Sequence, residues 1–200
     1  MNYIPLRVKT SYSLLKSLND IKKMVLFCKN NNINCIGIAD DNMYGVMEFY
    51  KECKKNDIKP IIGLEINIGE DIAILYAKNY NGYQNLTRLT YIKQSEELNI
   101  EILKNYNDNI ICISNNNLYE SLSKIYKEIY LGYSDIDKRV TGLTKKTIYV
   151  NSILCEKNED IEYLKYLYLI KSDKKINELN NCIMPDNCYF DFNRTDYENA

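Results

Sequence analysis

The chain has 200 residues, a hydrophobic fraction of 46% and a formal net charge of −1. That supports one packed domain with at most an appendage, and it argues against a disordered chain or a polybasic nucleic-acid or membrane surface while leaving room for a local basic patch. Histidine is absent, so the commonest metal ligand is missing and any chemistry must come from carboxylates, Lys, Tyr or Cys.

Residues Ile4 to Lys9 read as an opening strand, followed by the polar turn Thr10-Ser11-Tyr12-Ser13. Asp20 is placed to cap a helix running to Asn30, with Ile21, Met24, Val25 and Cys28 at helical spacing. The apolar run 34–40 predicts a buried strand closed by Asp40-Asp41-Asn42, and 44–57 a second helix with Val46, Phe49, Tyr50 and Cys53 inward. Strands over 61–68 and 72–79 follow, and three strand–helix alternations predict parallel pairing with right-handed crossovers. Beyond them come a helix over 82–94, a short segment 100–106, a strand over 109–114 and a helix from Leu118 to Ile129. Residues 131–146 read as loop with at most a short strand; 147–153 is the last strand and 158–171 the last helix. The tail from Ser172 to Ala200 has weak periodicity. Thr195 or Asp196 looks like a helix N-cap with little helix behind it, as in a chain cut from something longer.

Seven cysteines make an odd number without a tight framework, and no signal peptide or membrane-spanning run is present. Free thiols in the cytoplasm are the economical reading. Cys182 and Cys188 lack the further ligands that a zinc site needs. Tyr163, Tyr166 and Tyr168 read as stand-ins for Leu or Phe on a half-buried helix face rather than as a platform for stacking bases.

Sites in parallel α/β sheets and barrels gather at the carboxyl ends of strands. Those ends carry Arg7 and Lys9, Asp40 and Asp41, Glu65, and finally Asn151 and Ser152. One reading is a phosphoesterase site in which Asp40, Asp41 and Glu65 hold Mg²⁺. The other is an ion-pair cluster that ties strand ends together. Protonated Arg7 and Lys9 have no lone pair to give and repel a metal ion, which favours the ion pairs.

The stretches "PLRVKTSYSLLKSL", "GIADDNMYGVMEFYKECKKNDIKPIIGLEINI" and "LYAKNYNGYQNLTRL" resemble the amino-terminal PHP (polymerase and histidinol phosphatase) domain of the bacterial replicative DNA polymerase III alpha subunit. The likeness is continuous over about residues 4–92 and looser at "ILKNYNDNIICIS" and "IYVNSILCEKNEDIEYLKYL". It implies an α/β fold, an irregular seven-stranded TIM-like (β/α) barrel, with the domain over 1–171 and an extension over 172–200 leading towards a polymerase palm. The stretch between residues 130 and 150 is shorter than the family's, which leaves one or two barrel strands unaccounted for.

Active members hold up to three metals and hydrolyse phosphoesters, some as proofreading exonucleases. Carried onto this chain, the family's opening His pair falls on Pro5 and Arg7 or on Arg7 and Lys9, and its next Asp falls on Lys16. The Asp-His pair becomes Asp40-Asp41, the Glu is kept as Glu65, and the late Asn-Asp-x-His motif becomes Asn151-Ser152-Ile153-Leu154. The resemblance therefore implies a vestigial charge cluster of Arg7, Lys9, Lys16, Asp40, Asp41, Glu65, Asn151, Ser152 and Leu154, with no catalytic residue and no metal. In it the cations replace the ions of active relatives, and Arg7 is expected to grip one carboxylate bidentately.

On this reading the chain is a non-catalytic scaffold and docking domain of a polymerase. It has no cofactor of its own, Mg²⁺ serving the parent enzyme. Its partners are the rest of the polymerase chain, other replisome subunits and, through the parent, DNA; no membrane is involved. Two alternatives are an active metal-dependent phosphoesterase or 3′–5′ exonuclease using Asp40, Asp41 and Glu65, and a free-standing protein-interaction domain.

Overall fold

Short polar side chains start most of the helices. In the computed structural model, which describes residues 4–134, 146–185 and 187–190, Asp20 accepts from Lys23 N at the start of α1 (Ile21–Asn30). Asn79, Asn99 and Asn115 do the same for α3 (Tyr80–Ile92), α4 (Ile100–Lys104) and α5 (Asn116–Ser123). Each satisfies an N–H that the first helical turn leaves unpaired. The other two helices are α2 (Val46–Lys55) and α6 (Ile161–Lys171).

Six strands form one sheet in chain order: β1 (Cys35–Asp40), β2 (Lys59–Ile68), β3 (Asp71–Ala77), β4 (Ile110–Ser114), β5 (Glu128–Tyr133) and β6 (Thr147–Tyr149). The sheet curls into a half-barrel. Its concave face buries Ala39, Ile74, Tyr76, Ile113 and Val150. Its convex face packs Ile36, Ile38, Leu64, Ile66 and Leu75 against Met24, Phe49, Leu86 and Leu122 of the helices. Burial on that scale supplies most of the driving force, roughly 1.5–3 kcal/mol for each large aliphatic side chain.

The opening run contributes no regular strand, so six strands are found among the described residues where seven were expected. Val8 instead makes single-residue parallel bridges to Ile38 on one side and Ile153 on the other. The segment thereby joins β1 to the chain just beyond β6.

Parallel pairing holds only at the ends of the sheet. β1–β2, β4–β5 and β5–β6 are parallel, whereas β3 is antiparallel to both neighbours. Only Gly69 and Glu70 connect β2 to β3, with Gly69 at φ 60°, and two residues make a hairpin but no crossover.

Four further expectations need correction. The helix expected to reach Ile129 stops at Ser123, because the β-branched and aromatic run from Glu128 pairs with β4 as β5. The last strand is regular only to Tyr149. Tyr50 faces solvent rather than the core, and Tyr163 is exposed too, its hydroxyl making that costless. Residues 135–145 and the N-cap suggested at Thr195 or Asp196 lie outside the described residues. No helix among those described is long and apolar enough to cross a membrane.

Candidate functional site

The site is built where the opening segment lies against β1. Gly37 N donates to Pro5 O, Val8 N to Gly37 O and Ala39 N to Val8 O. On the other edge Ile153 N donates to Arg7 O and Lys9 N to Ile153 O. Gly37 makes this approach feasible, since a Cβ there would stand 2.6 Å from Leu6 O. Held on both edges, residues 7–9 direct Arg7 and Lys9 towards Glu65 within β2, and Lys9 also towards Asp41 just past β1.

Arg7 Nε lies 2.7 Å from Glu65 Oε2, and Lys9 Nζ lies 2.9 Å from Glu65 Oε1 and 2.7 Å from Asp41 Oδ1. Lys9 also donates to Ala39 O at 3.2 Å. Lys16 Nζ reaches Asp41 Oδ2 at 2.6 Å. The Arg7 contact is a single one through Nε, not the bidentate grip expected. Arg7 also lines a cavity of about 280 Å³ with Ile72, Ile74, Ile113 and Val150.

Asp40 is treated differently although it is adjacent. Its carboxylate is 1% exposed and accepts from Thr10 N (2.7 Å), Thr10 Oγ1 (2.6 Å) and Ser13 Oγ (2.7 Å). Ser13 Oγ in turn accepts from Asp41 N. The polar turn after the opening segment is thus a hydroxyl cradle for one carboxylate. Burial raises the Asp40 pKa, opposed by those hydrogen bonds and by Lys9.

Burial pushes Asp41 and Glu65 upward as well, but the cations win in both. Lys9 and Lys16 bring Asp41 down to about 2, and Arg7 and Lys9 hold Glu65 below its usual range. Both are therefore ionised at neutral pH.

Two further cations belong to the site and were not anticipated. Lys93, just past the end of α3, donates from Nζ to Asp41 O at 3.0 Å. Lys171, the last residue of α6, is close enough to feel Lys16, Asp41, Lys9 and Glu65. Burial lowers the pKa of both, and the neighbouring Lys16 and Lys9 lower it further. Of the remaining suggested positions, Asn151 donates to Asn187 O and Leu154 packs with Cys155, Leu164 and Cys188.

This donor set does not fit a divalent cation. The point between Asp41 and Glu65 is taken by the Lys9 ammonium, within hydrogen-bond distance of both. Among the described residues no group of three or more His, Cys, Asp or Glu is arranged to hold a metal. The seven cysteines are buried thiols.

The PHP domain family model matches residues 5–195. The chain belongs to the PHP domain family. It is similar to DNA polymerase III subunit alpha of Ureaplasma parvum, 32% identical over 190 residues, covering 94% of this chain and 18% of that protein. The corresponding Mycoplasma genitalium subunit is 30% identical over 177 residues, covering 86% and 19%. That of Bacillus subtilis is 34% identical over 125 residues, covering 57% and 11%. This PHP chain thus spans about a fifth or less of the length of those relatives.

Proposed function

We propose that this PHP domain is a non-hydrolytic scaffold and docking domain of a DNA polymerase III alpha subunit, its metal site replaced by a salt-bridge cluster. One observation carries the reading: Lys9 Nζ stands between Asp41 and Glu65, 2.7 and 2.9 Å from their oxygens. A fixed ammonium there supplies the charge that would otherwise come from an ion, but it offers no open coordination position, no activated water and no Lewis acid. Similarity to alpha subunits over most of the chain supports the parent enzyme. In such a protein nucleotidyl transfer would belong to other parts of the chain.

The test is metal analysis of the purified domain together with hydrolysis of p-nitrophenyl phosphate and a 3′-labelled oligonucleotide. Expected are substoichiometric metal and no turnover with Mg²⁺, Mn²⁺ or Zn²⁺. Stoichiometric metal, or turnover abolished by Glu65→Gln, overturns the proposal. Reading the coding sequence onward from Ala200 tests the polymerase parent, which requires a palm domain.

A further inference from the structure

We propose that the seam between α2 and α3 binds an acidic peptide segment of another protein, which inserts an apolar side chain between the two helices. A parallel crossover from β2 would have laid a helix over this part of the sheet, but the Gly69-Glu70 hairpin supplies none. The seam is left as a cavity of about 440 Å³. Met47 and Tyr50 of α2 form one wall, Tyr80 and Tyr83 of α3 the other, and Ile62 and Ala77 the floor. Met47 and Tyr80 are 54% and 69% exposed, and Met and Tyr are residue types enriched where proteins meet. Ile62 belongs to the convex face, whereas Glu65, three residues on, points to the other face of the same strand. The cavity is therefore separate from the charge cluster.

The rim decides the charge of the occupant. Lys51 and Lys54 follow Met47 and Tyr50 by one helical turn and so stand on the same edge of α2, with the Lys54 ammonium 5.7 Å from the Tyr50 ring centroid. Lys78 lines this cavity and also a polar one of about 240 Å³ beside it, which Lys127 lines too. Sharing Lys78, the two make a trough rather than a single pocket. Of the carboxylates along it, Glu128 is answered by Lys78, and Asp108 stands at the polar end. A single-stranded nucleic acid would also favour lysines and tyrosines, but base stacking needs open ring faces. Here Tyr80 and Tyr83 lie against each other, 5.9 Å between centroids, Lys54 covers Tyr50, and the floor is aliphatic. Such a floor suits a large apolar side chain, and carboxylates on either side of it complement the lysine rim.

The inference rests on the docking half of the proposed function and gives it a surface and a partner chemistry. The test is selection of a random phage-displayed peptide library on the chain. The most enriched peptide, made synthetically, is then titrated into the ¹⁵N-labelled chain and followed by amide shifts. Expected are enriched sequences in which a large apolar residue is flanked by Asp or Glu. Saturable shifts should appear at Met47, Lys54, Lys78 and Tyr80 but not at Arg7 or Glu65. Affinity should fall tenfold or more in Tyr80→Ser and in Lys54→Glu, as for a truncated or repelled interface anchor. Both side chains are exposed, so neither change disturbs the core. Lys23→Glu, on α1, should leave affinity unchanged. Enrichment without acidic residues, shifts confined to another surface, unchanged affinity in both variants, or stronger shifts of the same residues by an oligothymidylate of equal length overturn the proposal. Those failures leave the non-hydrolytic reading of the charge cluster intact, and stoichiometric metal at the cluster would leave peptide binding at the seam intact.

Discussion

The Lys9 ammonium lies 2.9 Å from Glu65 Oε1, and both side chains are about 95% buried. An ion pair this dry is costly to assemble and costlier to break, because removing one partner leaves a charge with neither water nor counter-ion. Lys9→Met should therefore destabilise the domain by about 3–5 kcal/mol, read as a shift in the urea midpoint. Adding Asp41→Asn and Glu65→Gln to that variant should restore much of the loss. If Lys9→Met is silent, the ammonium is not what holds the carboxylates together.

Acid should weaken the domain in a defined window. Asp41 titrates near 2 rather than its usual 3.8, and Glu65 is also held low, so their contribution is present above the ordinary carboxylate range. It is lost as pH falls from about 4 towards 2, and the Asp41 shift corresponds to about 2 kcal/mol. Asp40, shifted upward by burial, acts in the opposite sense. Urea midpoints at pH 7 and pH 3 should differ, and Asp41→Asn should shrink the difference. An unchanged difference in that variant would place the acid sensitivity elsewhere.

Thr10→Val removes the hydroxyl that donates to Asp40 Oδ2 at 2.6 Å, and Ser13→Ala the one that donates to Oδ1 at 2.7 Å. Each should cost about 1–3 kcal/mol, the penalty for leaving a buried acceptor short of a donor. Each should also raise the Asp40 pKa further, measurable by ¹³C NMR of its carboxyl. A drop in stability without that rise would point to packing instead.

Gly37→Ala would set a methyl group 2.6 Å from Leu6 O, a backbone atom that cannot swing aside. The opening segment must shift, at about 1–3 kcal/mol for such overpacking. Faster amide exchange at Val8 and Lys9 than at Leu75 would show that the damage is local to the site. Uniform acceleration would show that it is not.

The charged half of the site was legible because its residues sit where strands end. Lys9, Asp40 and Asp41 close β-like runs, Arg7 and Glu65 lie within a few residues of such an end, and Lys16 followed from the family resemblance. Lys93 was not legible, for a reason rooted in topology. Reversal of β3 by the Gly69-Glu70 hairpin sends α3 in the direction that carries its last turn to the site, whereas an all-parallel sheet would point it away. Thr10 and Ser13 looked like ordinary turn residues, and only the cluster of polar side chains after an apolar run hinted at a cradle. β5 was hidden because Leu118, Leu122 and Ile125 continue at helical spacing almost to its first residue. The Asp20-capped helix α1 and the buried strand β1 were legible because a cap and a run of core side chains are local signals.

The bridges from Val8 to Ile38 and Ile153 join positions separated by nearly the whole length of the domain. During synthesis the Val8–Ile153 bridge cannot form until Ile153 has left the ribosome, so the nascent chain must wait with the outer edge of its opening segment unpaired. Long-range closure of this kind slows folding and leaves strand edges available to wrong neighbours. Truncation just before Ile153 should thus yield an aggregation-prone chain, even though every charged residue from Arg7 to Lys93 would already be in place.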